Sequence, residues 1–115
     1  MKIYIAGKIS GDPEYKLKFQ DVDINIWRAL GLASYDTTPP RYDPALVEPI
    51  VLNPARLPEG MEPADYMRIC CAMIDSADLV MFLPDWADSA GAQLEMQYCS
   101  YIRKPVAILS EGWLQ

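Results

Sequence analysis

The first apolar run, Lys2 to Ala6 (KIYIA), is short, β-prone and stopped by Gly7, and the turn residues of GKISGDP follow before the pattern changes period. Asp12, Pro13 and Glu14 then form a helix-start signal. Asp can accept from free amides, Pro suits the first turn and Glu favours the helix dipole, so the first helix is predicted to begin there. Tyr15, Phe19, Val22, Ile26 and Leu30 recur at spacings of three and four, one apolar stripe for a sheet to cover, until Gly31 offers a stop. Residues 33–48, with DTTPPRYDP, have no periodicity and read as a long loop. PIVLNP after it reads as a short strand closed by Asn53-Pro54.

Between Pro63 and Ala77 a second helical face carries Tyr66, Ile69, Cys70, Met73, Ile74 and Ala77, and LVMFL from Leu79 to Leu83 follows directly. An unbroken apolar run of that kind suits a strand buried on both faces. PDWADSAG makes the next loop, Ala92 to Arg103 a third helix, and Pro105 to Leu109 (PVAIL) a last buried strand. The alternation predicts an α/β fold: a flavodoxin-like or Rossmann-like parallel sheet of four to five strands with helices on both faces. Ligands of such sheets sit at the carboxyl ends of the strands. Two loops meet that condition, Gly7 to Asp12 and Pro84 to Gly91, and they are neighbours if the first and third strands pair.

The 115 residues fit a single domain over 1–115, and 51% hydrophobic with 23% charged residues is ordinary for a globular chain. Ten Lys and Arg against sixteen Asp and Glu leave a net charge of -6. That balance disfavours a nucleic-acid polymer and points to a small ligand, for which backbone amides can still build a local anion site. The start MKIYIAG is too short for a signal-peptide core and no stretch reaches the length of a membrane span, so the expectation is a cytoplasmic protein with no membrane contact. Three cysteines, two adjacent at Cys70 and Cys71, read as reduced thiols. The chain has no histidine, which removes Ser-His-Asp and Cys-His catalysis and most zinc sites; no metal and no cofactor is expected.

Chemistry then falls to carboxylates, hydroxyls and amides. The loop Gly7-Lys8-Ile9-Ser10-Gly11 allows close backbone approach to a phosphate or a sugar hydroxyl, although a plain strand-to-helix turn has the same spacing. In Trp86-Ala87-Asp88-Ser89-Ala90-Gly91-Ala92-Gln93-Leu94-Glu95, the glutamate is placed in about the first turn of the third helix, where the helix terminus would keep it ionised as a nucleophile requires. A solvated first-turn glutamate fits that spacing equally. Trp86 would stack on a base or cover the sheet edge.

Taken together, IYIAGKISG, the strand LVMFLPD after Ala77-Asp78, and DSAGAQLE resemble the nucleoside 2-deoxyribosyltransferase-like superfamily, and a small phage and bacterial branch of it in particular. The resemblance implies cleavage or exchange of an N-glycosidic bond, with Glu95 attacking the anomeric carbon of the deoxyribose to give a glycosyl-enzyme ester. It also implies that the Tyr4 hydroxyl orients that carboxylate. Asp85 and Asp88 become the candidates for the second acid that helps the base depart, each otherwise a cap. Nucleoside transferases carry an aspartate at the position of Ser89 and monophosphate hydrolases a serine, so a monophosphate is implied, with Ser89 and Gly91 as one wall and Lys8 and Ser10 as the other. Asp88 would accept the sugar hydroxyl if the loop were shifted by one residue.

Two departures favour hydrolysis, or binding alone, over base transfer. Cys70 and Cys71 stand near where transferases carry an acidic residue, and the chain ends at Gln115 without the tail through which relatives complete a partner's pocket. Exposed apolar helix surface and shared pockets among relatives imply a homo-oligomer. The alternatives are a non-catalytic nucleotide-binding module or sensor, and a scaffold that leaves Glu95 exposed. A Glu95 drawn against Tyr4 and an acidic loop residue would speak for the enzyme.

Overall fold

The computed structural model describes residues 1–31 and 49–114, with the backbone alone at 30 and 31. The loop expected over 33–48 and the side chain of Leu30 lie outside what is described. Strand β1 is Lys2–Ala6, and helix α1, Tyr15–Ile26, runs on as a π-helical turn over Trp27–Gly31. Strand β2, Ile50–Leu52, is followed by a 3-10 turn at Pro54–Arg56 and by helix α2, Pro63–Ser76. Strand β3 is Leu79–Phe82; a 3-10 turn at Trp86–Asp88 leads to helix α3, Ala90–Ile102, then strand β4, Val106–Ile108, and a last 3-10 turn, Glu111–Leu114.

The four strands form one sheet in the order β2-β1-β3-β4, and every pairing is parallel, with Tyr4 opposite Leu52 on one side and Val80 on the other. This is an α/β fold with the strand order of the flavodoxin-like doubly wound sheets. The first and third strands do pair, so the loops that follow them are neighbours.

β1 is the central strand, and residues 3–6 are all buried. Because strand side chains alternate, Ile3 and Ile5 pack with Phe19, Val22 and Ile26 of α1, while Tyr4 and Ala6 pack with Cys70 and Ile74 of α2 and Cys99 of α3. One sheet face thus carries α1 and the other α2 and α3, the layering expected of a parallel sheet; β4, expected as a buried strand, lies at the sheet edge and leaves Val106 and Ile108 exposed. Among the described residues, no helix is long and apolar enough to cross a membrane.

Two helix starts differ from the sequence reading, each for a local reason. Asp12 does accept an amide, that of Glu14 at 2.9 Å, but this closes a turn ahead of the helix, and α1 begins only at Tyr15. α3 begins earlier than Ala92, at Ala90, because Ser89 is its N-cap and its hydroxyl accepts from the Ala92 amide at 3.2 Å. The second shift moves Glu95 from the first turn of its helix to the second.

Candidate functional site

At the end of β1, Gly7 is required by packing. A Cβ there would lie 2.9 Å from Leu83 Cβ and 3.3 Å from Asp85 Oδ1, so the chain after β1 rests directly on the chain after β3. Next comes a tight turn in which the Asp12 amide donates to Ile9 O at 3.2 Å, and Gly11 supplies the left-handed φ of +81° that it needs. The Lys8 amide donates to Asp85 Oδ1 at 3.2 Å. The amides of Ile9, Ser10 and Gly11 have no partner among the described residues, nor does the Lys8 ammonium form an ion pair there, although its charge helps hold Asp12 below the ordinary carboxylate range, after the larger effects of Lys18 and the Glu14 amide.

Lys18, which the sequence reading passed over, is the hub of this edge. Its Nζ donates to Lys8 O at 2.8 Å, to Asp12 Oδ2 at 2.5 Å and to Asp85 Oδ2 at 2.5 Å, and only 12% of its side chain is exposed. Both carboxylate oxygens of Asp85 are therefore engaged, one by an amide and one by an ammonium, and Asp85 is not a free acid. Asp88 is exposed, and its carboxylate has no partner among the described residues.

Trp86 is partly buried at the sheet edge. Its ring meets Phe82 edge to face, with centroids 5.7 Å apart, and it is packed against the core on the α2 and α3 side. Ser89 caps α3, yet a capping hydroxyl still has its own proton to donate. The amides of Ala90 and Gly91, at the free end of the helix, have no partner among the described residues. Asn53 anchors the third carboxyl end. Its Oδ1 accepts from the Ala55 amide at 2.9 Å and its Nδ2 donates to Asp23 Oδ2 at 3.3 Å, which explains the Asn-Pro pair after β2.

Glu95 lies five residues into α3, about 7.5 Å along the axis from Ala90, and is 8% exposed. Its carboxyl acts on the Tyr4 phenol of β1, on the thiols of Cys70 and Cys71 of α2, and on that of Cys99 one turn further along α3. Tyr4 OH and Glu95 Oε2 are both buried, and neither closes a hydrogen bond of ordinary geometry with any described residue. Burial pushes the Glu95 carboxyl up to about 7, with the nearby phenol pulling the other way. Burial, then the charge of Glu95, holds the Tyr4 phenol well above its ordinary value. Burial likewise raises the thiols of Cys70 and Cys99 to about 11.

The expectation that a helix terminus keeps Glu95 ionised is thereby corrected. The residue is too far from the terminus for a first-turn effect, and desolvation dominates. In this cluster it is the group that changes charge near neutral pH. The exposed Glu95 expected of the scaffold reading is not what the structure shows: the residue is buried. Glu95, Tyr4 and Cys70 are brought together; Asp85 joins Lys18 and the Lys8 amide instead; no hydrogen bond or ion pair among the described residues joins Asp88 to Glu95. All three cysteines are free thiols.

A family model described as a domain of unknown function, DUF4406, matches residues 46–108, a span that holds Glu95 and the loop leading to it. No curated protein and no solved structure matches the chain.

Proposed function

The chain belongs to DUF4406, a family of the nucleoside 2-deoxyribosyltransferase-like clan, and from that premise we propose that it hydrolyses or exchanges the N-glycosidic bond of a 2-deoxynucleoside or its monophosphate, with Glu95 as nucleophile. The observation that carries this reading is the burial together of Glu95 Oε2 and Tyr4 OH, neither of which closes a hydrogen bond of ordinary geometry with any described residue. Leaving such a group unsatisfied costs about 1–3 kcal/mol, and structures tolerate that cost chiefly where a ligand or a reaction uses the group.

In the proposed step a Glu95 carboxylate oxygen bonds to the anomeric carbon while the bond from that carbon to the base breaks. The bonding pair leaves with the base, which takes a proton from water. A water then attacks the same carbon, breaks the ester, releases the sugar and returns the Glu95 carboxylate, its spare proton passing to solvent. Incubating the protein with a panel of deoxynucleosides and their monophosphates, and assaying free base by chromatography, tests this. One observation favours a second reading, a non-catalytic nucleotide-binding module: Asp85, an acid of the β3–α3 loop, is neutralised by Lys18. The same panel separates them, since a module binds a member without releasing base.

Among substrates, the monophosphate is the one the rim suits. The amides of Ile9, Ser10, Gly11, Ala90 and Gly91 and the Lys8 ammonium, none of which has a partner among the described residues, and the Ser89 hydroxyl proton are all donors. Wild type is expected to favour the monophosphate over the parent nucleoside in kcat/KM, and Ser89→Asp, which puts a negative charge at the rim, to lower or reverse that preference by about tenfold or more. An unchanged ratio in Ser89→Asp counts against the phosphate assignment.

We place the protein in the cytoplasm, where its cysteines stay reduced, and as a homo-oligomer. Tyr101, 90% exposed, and Leu94 on α3, with Val106 and Ile108 on the edge strand β4, are large apolar side chains left at the surface. Light scattering at micromolar concentration is expected to report at least a dimer; a monomer would refute it.

A further inference from the structure

We propose that Lys18 is a positioning residue, whose ammonium locks the loop after β1 to the loop after β3 and so sets the spacing of the donors that meet the ligand. An ammonium has three protons to donate, and Lys18 places all three on acceptors, one of them the main-chain carbonyl of Lys8 in the first loop, one Asp12 at that loop's end and one Asp85 in the second loop. Asp85 completes the tie by accepting the Lys8 amide. The last main-chain bond between the two segments is Leu83 N to Ala6 O at 2.7 Å. Beyond it, among the described residues, the hydrogen bonds joining the loops run through Asp85, to Lys18 and to the Lys8 amide.

The charges support a purpose beyond neutralising one acid. A largely buried ammonium needs one carboxylate as counter-ion, whereas Lys18 faces two, drawn from different loops. Without it, Asp12 and Asp85, each about a quarter exposed, are left as like charges across the gap with only the Lys8 amide, among the described residues, to hold the two loops together. The loops would then separate, carrying with them the amides of Ile9 to Gly11 on one side and the approach to Ser89, Ala90 and Gly91 on the other. The role toward a ligand rests on the proposed function; the clamp does not.

Hydrogen exchange followed by mass spectrometry tests the clamp in wild type, Lys18→Met and Asp85→Asn, with Lys16→Met, whose Nζ pairs at the surface with Glu59, as control. The hydrogen-bonded amides of the two loops, Asp12 in the first and Trp86, Asp88 and Ser89 in the second, are expected to exchange about tenfold faster or more in both clamp variants, with α2 unchanged, and to stay at the wild-type rate in Lys16→Met. Should Lys18→Met not fold, Asp85→Asn carries the comparison, since it keeps an acceptor for the Lys8 amide. Wild-type exchange in either loop overturns the clamp.

With the panel's preferred substrate, Lys18→Met is expected to raise KM about tenfold while kcat stays within about threefold. A fall in kcat at constant KM overturns the positioning role. If wild type releases no base from any member of the panel, the functional reading fails, and the exchange rates alone still decide the clamp.

Discussion

Glu95→Gln is expected to lower base release by on the order of 10³-fold or more, with the fold and substrate binding retained. The amide has nearly the shape of the carboxyl, so the contacts with Tyr4 and Cys70 persist, but it has no anionic oxygen to bond to the anomeric carbon. Wild type should show the protonation state of that oxygen directly. Because the nucleophile must be ionised and burial holds its pKa at about 7, kcat/KM should rise about tenfold per pH unit below neutrality and level off above it. The Tyr4 phenol lowers the Glu95 pKa. Tyr4→Phe should therefore move the break in the profile to higher pH, an effect that a purely packing tyrosine would not have. Chromatography of free base against time, at several pH values, measures both. Full activity in Glu95→Gln would remove the nucleophile assignment.

The fold was legible because each strand and helix has its own period. KIYIA and LVMFL are apolar without alternation, which is what a strand covered on both faces requires, and they became the two central strands. The helix starts were less legible, since the same residues serve two local purposes. Asp12 could cap a helix or close a turn ahead of it, and Glu14 took its hydrogen bond. Ser89 could face a phosphate or cap α3, and its oxygen does cap the helix while its proton stays available to a ligand. A linear pattern does not separate these choices, because each depends on which amide lies within reach of one oxygen.

The candidate site was legible only as far as its residues belong to motifs. Glu95 and Tyr4 were matched by resemblance, and the structure sets them side by side although they are 91 positions apart in the chain. The protonation behaviour of Glu95 was not legible. It turns on burial by α2 and β1, whose packing a one-dimensional reading does not contain. Lys18 was invisible for a related reason: between exposed Leu17 and buried Phe19 it looks like a surface lysine, and its partners lie six positions back and 67 positions ahead. The one available clue was that the first turns of α1 must lie at the carboxyl edge of a parallel sheet, where loop acids gather.

Glu95→Gln should also stabilise the protein, and only on the alkaline side. The carboxyl has an ordinary value of 4.5 and a folded value of about 7, so the folded state binds the proton more tightly than the unfolded chain. The stability this contributes is fully present below 4.5 and is lost as pH rises through about 7. At 1.36 kcal/mol per pKa unit, the loss is about 3 kcal/mol. A glutamine resembles the protonated carboxyl and does not titrate, and the thiols at about 11 stay protonated across this window. The variant and wild type should thus be nearly equal in stability at pH 4.5, and at pH 8 the variant should be ahead by about 3 kcal/mol, or on the order of 10 °C in Tm for a domain of this size. Urea unfolding at the two pH values measures the difference. A gain of the same size at both would mean that glutamine packs better there, and no gain at either would mean that Glu95 is hydrated in solution. A gain confined to high pH would show that the fold bears a standing cost to keep an ionised carboxylate out of water, which a group without a chemical task would have no reason to impose.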